Sequence, residues 1–166
     1  MDPVETPELT FSATVFIAAS PEKLYDMVSD VTRMGEWSPV CKACWWDEGV
    51  TGPALGAWFT GRNESPDRDP WQTRSRVVAA NPGREFAFEV GGSDSYPDGS
   101  ARWGYTFTPA DTGTEVTESW QFLPAGLTRF DQRFGDDAAR QVALREAAAR
   151  SGIPATLAAL KRAAES

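Results

Sequence analysis

The chain has 166 residues and a formal net charge of −8, from 24 acidic against 16 basic side chains, with seven Trp, nine Phe and no His. That length suits a single domain over 1–166, and the acidic balance disfavours nucleic acid and anionic membrane surfaces, both of which call for Lys and Arg. Without His, no Ser-His-Asp or Cys-His nucleophile can be assembled, and two Cys cannot replace imidazole in a zinc site, so no metal is expected.

The N-terminal Met1-Asp2-Pro3-Val4-Glu5 has neither a basic nor an apolar leader region, so no secretory signal is expected and the protein reads as cytoplasmic. Apolar runs are far shorter than a spanning helix needs, so no stable membrane insertion is expected. Leu9 to Ala18 alternates and is rich in Thr, Val, Phe and Ile, which predicts a strand. Ser20 follows as a helix N-cap with Pro21 at the first helical position, and Leu24, Tyr25, Val28 and Val31 fall on one helical face. Gly35 and Ser38-Pro39 close that segment.

Val40–Asp47 reads as a strand and holds Cys41-x-x-Cys44. The redox form of that motif opens a helix, whose N-terminus activates the thiol. In a strand, residues three apart point to opposite faces, so here two unrelated thiols are expected. Further strands are predicted over Ala54–Asn63, Trp71–Ala79, Glu85–Val90, Ala101–Thr108 and Thr114–Leu123. The turn signals between them are Gly52-Pro53, Ser65-Pro66-Asp67, Asn81-Pro82-Gly83, the Gly91–Gly99 stretch and Asp111-Thr112-Gly113. Short connections imply an antiparallel meander.

After Phe134 the texture changes. Asp136 to Ser166 holds 11 Ala and no aromatic, and Ile153, Leu157, Leu160 and Ala164 mark one helical face. Ser151-Gly152-Ile153-Pro154 is expected to interrupt or kink this helix. The terminal helix must cover the apolar face of the sheet. Near its start Ala138, Ala139, Val142 and Ala143 are too small to fill the space beneath a curved sheet.

Strand parity places the aromatics. Phe59, Gly61 and Asn63 share one face, as do Trp71, Thr73, Ser75 and Val77. Phe86, Phe88 and Val90 go together, with Trp103, Tyr105 and Phe107, and with Val116, Glu118, Trp120 and Phe122. An inward Glu118 would have its pKa raised into the acid–base range, unless it pairs with Arg74, Arg76 or Arg102. Asn63 could donate to a ligand carbonyl or an enolate, or cap the loop after it; Tyr105 could move a proton or simply pack. The loops Asn63–Pro70 and Gly91–Ser100 read either as the rim of an entrance or as solvated turns.

Several segments arrive in a fixed order: Ile17-Ala18-Ala19-Ser20-Pro21-Glu22-Lys23-Leu24-Tyr25, Ser29-Asp30-Val31 to Glu36-Trp37-Ser38-Pro39, Gly56-x-x-Phe59-x-Gly61-x-Asn63 and Trp71-x-Thr73-x-Ser75-x-Val77. Trp103-x-Tyr105, Gly113-Thr114-x-Val116-Thr117-Glu118-Ser119-Trp120 and Gly152-Ile153-Pro154-Ala155-Thr156-Leu157 complete the series. Over essentially its whole length the chain resembles the START-like (SRPBCC) superfamily, in its polyketide cyclase/dehydrase and lipid transport branch. The resemblance implies an α+β helix-grip fold, like the birch-pollen allergens: a curved seven-stranded antiparallel sheet wrapped on a long C-terminal helix, with a hydrophobic cavity between them. It implies no single activity, since members include carriers, cyclases, hydrolases and binding modules.

The expected function is binding of a hydrophobic, ring-containing, lipid- or polyketide-like small molecule. The candidate ligand-binding residues are Trp37, Phe59, Asn63, Trp71, Thr73, Phe88, Trp103, Tyr105 and Trp120. The alternative is a cofactor-free cyclase or dehydratase using Glu118, Tyr105 and Asn63. A third reading is a protein-interaction module without a small ligand. No cofactor is expected, and the protein is expected to be a monomer or homodimer.

Overall fold

The connection between the first two strands crosses the whole width of the sheet, and this sets the architecture. In the computed structural model, which describes residues 9–66 and 68–166, the strands are β1 (Thr10–Ile17), β2 (Cys41–Trp46), β3 (Trp58–Ser65), β4 (Arg68–Asn81), β5 (Glu85–Val90), β6 (Ala101–Ala110) and β7 (Gly113–Phe122). Met1–Glu5 and Asp67, both used in the sequence reading, lie outside the described residues. The strands form one antiparallel sheet in the order β1-β7-β6-β5-β4-β3-β2. β1 and β2 are thus its two edges. Between them run α1 (Pro21–Ser29) and a 3-10 turn over Val31–Glu36. Ser20 caps α1 by accepting from the Lys23 N–H at 3.1 Å, and Asp30 caps the 3-10 turn by accepting from Thr32 N–H at 3.2 Å.

The long C-terminal helix α3 (Ala138–Glu165) lies against β1 and β7. Its inner residues Ala149, Ile153, Leu157, Leu160 and Ala164 are buried. Its end is pinned by Lys161 Nζ donating to the Phe16 carbonyl at 2.7 Å and by the Ala18 N–H donating to Glu165 Oε2 at 2.9 Å. The expected interruption at Ser151–Pro154 does not occur, and α3 runs through Pro154. Pro154 and Arg150 are both exposed. The hydrogen bond that proline removes therefore lies on the solvent side, where the freed carbonyl is open to hydration. Of the small residues expected at the start of α3, only Ala138 and Val142 are buried, while Ala139 and Ala143 face solvent.

A second helix, α2 (Pro124–Phe134), was not anticipated and closes one end of the sheet. Pro124 occupies its first turn, and Leu127, Phe130 and Phe134 share its apolar face. Gly126 lets it lie flush. A Cβ there would stand 2.4 Å from the Ser100 carbonyl oxygen and 3.0 Å from the Phe122 ring.

The inner face of the sheet has two unlike ends. Near α1 it is tightly packed: Ile17, Leu24, Phe86, Val116, Ile153 and Leu160 have no exposed surface, and Tyr25 meets Phe86 and Phe107 edge to face at 6.4 and 6.3 Å. Near α2 the inward side chains Trp71, Thr73, Val90 and Trp103 are only half-buried. Two strand boundaries also differ from expectation. Residues 54–57 precede β3 rather than beginning it, and Asn63–Pro70 is not a loop, because Ser65 pairs with Arg68 and the strands continue to a tight turn.

Candidate functional site

Strand register converts parity into rows across the inner face. One row runs Ala13, Glu118, Tyr105, Phe86, and the next runs Phe11, Trp120, Trp103, Phe88, Val77. Glu118 is therefore flanked by Val116 and Trp120 along its own strand and by Tyr105 across the ladder. Glu118 and Tyr105 are nearly inaccessible, at 4% and 6% exposure.

The arginine pairing considered for Glu118 is absent. Arg74 Nε pairs with Asp47 at 2.8 Å, Arg102 Nη2 with Glu85 at 3.8 Å, and Arg76 Nη2 donates to the Pro97 carbonyl at 3.4 Å. Glu118 Oε1 is buried and has no hydrogen-bond partner among the described residues. Burial pushes the Glu118 carboxyl up to about 8, the neighbouring Tyr105 hydroxyl holding it back in part. The Tyr105 phenol is itself driven well above its ordinary range, first by burial and then by the Glu118 charge. Near neutral pH the interior thus holds a protonated carboxylic acid beside a phenol. Such a pair can donate a hydrogen bond or a proton in an apolar setting.

Around this pair Trp120 and Phe88 are buried, at 2% and 8% exposure, and Trp103 is half-buried toward α2. Phe59, on β3, meets Phe88 edge to face at 5.1 Å. Asn63 and Thr73 lie farther along β3 and β4. Asn63 is buried and donates from Nδ2 to Thr73 Oγ1 at 3.2 Å, rather than capping the turn beyond it. Trp71 lies opposite Asn63, with the Arg68 guanidinium 3.6 Å above its ring centroid. Trp37 stands apart from this group: it ends the 3-10 turn over β2, is buried, and has Arg33 5.3 Å from its ring.

The two thiols require a correction. A bulge between Cys41 and Ala43 resets the alternation of β2, so Cys41 and Cys44 both turn inward and are buried. They lie against one another as free thiols, and their contact holds Cys41 below the ordinary thiol range while pushing Cys44 above it. Gly61 faces the Cys41 thiol across the β2–β3 ladder, where a Cβ would sit in ordinary contact with Cys41 Sγ at 3.6 Å.

Sequence reasoning missed the residues supplied by α2. Phe122, Phe130 and Phe134 continue the aromatic series from Trp120, with edge-to-face contacts of 5.0 and 5.1 Å between successive Phe rings. The signal was present, as Pro after a strand end followed by apolar residues three and four apart. Two open grooves are present. One of about 220 Å³ is lined by Thr10, Phe11, Arg102, Trp120 and Gln121, at the β1 end of the Trp120 row, and the other of about 520 Å³ by Glu22, Arg84, Phe107 and Thr108. Neither is lined by Glu118 or Tyr105.

The family model described as polyketide cyclase / dehydrase and lipid transport matches residues 8–165. The chain belongs to this family. A polyketide-cyclase-like protein of Corynebacterium glutamicum, solved in solution, is 47% identical, with 95% of this chain and 92% of that one aligned at a TM-score of 0.66. The di-domain ARO/CYC StfQ from the steffimycin biosynthetic pathway shares the fold at 17% identity and a TM-score of 0.67, over 95% of this chain and 51% of that one. A Nitrosomonas europaea protein does so at 12% identity and a TM-score of 0.67, over 95% of each chain. No curated protein matches the chain. No helix among the described residues is long and apolar enough to cross a membrane.

Proposed function

We propose that this family member binds a hydrophobic, ring-bearing small molecule on the inner face of the sheet, with its polar group directed at Glu118 and Tyr105. The observation that carries the reading is Glu118 Oε1, a buried acceptor without a partner among the described residues, inside an aromatic interior. An unsatisfied buried polar atom is destabilising and calls for an explanation. A ligand hydroxyl or N–H placed there supplies the missing bond, while Trp103, Phe88 and Trp120 offer ring surface on the adjoining row. The half-buried Trp71, Thr73 and Trp103 make the α2 end the side from which a ligand enters.

The same pair favours a second reading, a cofactor-free cyclase or dehydratase. An acid with its pKa raised to about 8 is protonated at pH 7 and can give its proton to a leaving hydroxyl or to an enolate. Tyr105 and Asn63 would then orient the reacting oxygen. The ARO/CYC fold neighbours agree with this reading at the level of fold.

Calorimetric titration with 2-naphthol tests the binding claim. The wild type should bind it, and Glu118→Leu should weaken it by about tenfold, as expected for one lost hydrogen bond to a buried acceptor. Absence of binding by the wild type, or equal affinity in the two proteins, sinks the claim. If Glu118→Gln abolishes turnover of a ring-closing substrate without changing its affinity, the catalytic reading replaces the carrier.

A further inference from the structure

The bulge in β2 gives the Cys41-x-x-Cys44 motif a geometry that a regular strand denies it. Across the β2–β3 ladder Cys41 stands opposite Asn63, Ala43 opposite Arg62 and Cys44 opposite Gly61. The three steps from Cys41 to Cys44 therefore cover the same length as the two steps from Gly61 to Asn63. That length is about 6.6 Å, at roughly 3.3 Å per residue, where three regular steps would give about 10 Å and opposite faces. The bulged spacing lies within the Cα separation of roughly 4.4–6.8 Å that a disulfide bridges.

The sulfur positions agree with the backbone. Cys41 Sγ lies 3.6 Å from the point where a Cβ on Gly61 would sit, and Gly61 is the residue directly across from Cys44. Opposed Cβ positions in an antiparallel pair are about 4.5–5.5 Å apart, so the Cys41 sulfur is turned along the inner face toward Cys44. Cys41 Sγ also donates to the Ala43 carbonyl at 3.5 Å, which holds it in that direction. The hydrogen bond between the two thiols lowers Cys41 from the ordinary thiol range. One member of the pair thus reaches the nucleophilic thiolate form more readily.

A single buried Cys is ordinary core filling, but these are the two cysteines of the chain, both free and facing one another. Among the described residues no group of three or more Cys, Asp or Glu could hold a metal ion, so oxidation is the chemistry that the pair supports. β2 is also an edge strand, paired on one side only, and local opening there costs less than opening a central strand. A small oxidant can reach the sulfurs by that route.

We propose that Cys41 and Cys44 are a thiol-oxidation site, which a hydroperoxide converts into an intramolecular disulfide. One thiolate attacks the terminal peroxide oxygen. The O–O bond breaks, an S–OH forms, and the remaining oxygen leaves as an alcohol, or as water from hydrogen peroxide, carrying the thiol proton. The second thiol then attacks the oxidised sulfur, the S–S bond forms and the hydroxyl leaves as water. The two sulfurs lose two electrons and the peroxide gains them. A dithiol reductant reverses the change.

The test treats the folded protein with hydrogen peroxide, removes the excess with catalase, alkylates with iodoacetamide in urea and measures the mass. Untreated protein should be alkylated on both thiols. Treated protein should take up no alkyl group and weigh two hydrogens less, and dithiothreitol should restore both sites. Cys41→Ser and Cys44→Ser should each form no intramolecular bridge, and at least one should carry a sulfenic acid that dimedone traps. If neither variant folds, the wild-type measurement decides alone. Full alkylation after a peroxide dose that oxidises free glutathione overturns the proposal, since the thiols then only pack. Sulfinic or sulfonic acid without a bridge, or a bridge between two chains, overturns it equally.

Discussion

Replacing Glu118 by glutamine tests the buried acid in a way that does not depend on knowing the ligand. Glu118 ordinarily titrates at 4.5, and burial moves it to about 8 in the folded protein. The folded state therefore binds its proton more tightly than the unfolded chain. Stability from this site is complete below pH 4.5 and is lost as pH rises to 8, after which no more is lost. Within that window the slope is about 1.4 kcal/mol per pH unit, and the whole loss is on the order of 5 kcal/mol, an upper bound because the interior relaxes. The substituted amide keeps the shape of the side chain, stays neutral and does not titrate. Urea unfolding followed by Trp fluorescence at pH 5 to 9 should show the variant gaining on the wild type at each step, with a plateau above pH 8. Parallel stability curves for the two proteins across that range would refute a buried, protonated Glu118.

Other outcomes follow from the same structure. Tyr105→Phe removes the hydroxyl that holds the Glu118 pKa down, so the plateau in the same pH series should move above pH 8; an unchanged plateau contradicts the contact. Phe86→Ala, at a fully buried position in the packed end, should cost about 3–5 kcal/mol in urea unfolding. Gly126→Ala forces α2 away from Ser100 and Phe122; it should cost about 1–3 kcal/mol and speed proteolysis near residues 124–134.

The sheet was legible because alternation is a direct consequence of strand geometry, and every inward position named from parity between Phe59 and Phe122 falls on the inner face. Glu118 was legible for the same reason, its neighbours Val116 and Trp120 fixing its direction. What failed were features that parity cannot see. One extra residue at Cys41–Ala43 turned two thiols inward that strict alternation sends to opposite faces. Helix α2 was overlooked although Pro124 and the spacing of Leu127, Phe130 and Phe134 mark one apolar helical face, because a period of 3.6 is invisible to strand parity. Pro154 does not interrupt α3, since a proline on the solvent side of a docked helix frees a carbonyl that faces water.

The claim that the inner aromatic face is a binding surface is tested most directly by the seven Trp indole N–H signals in a nitrogen–proton correlation spectrum. On titration with 2-naphthol, the signals of Trp103, Trp71 and Trp120 should shift together and saturate, while those of Trp45, which is exposed, and Trp58, which is covered by Arg74 4.1 Å from its ring, should stay fixed. Shifts confined to Trp45 and Trp58, or none at any indole, would contradict the account.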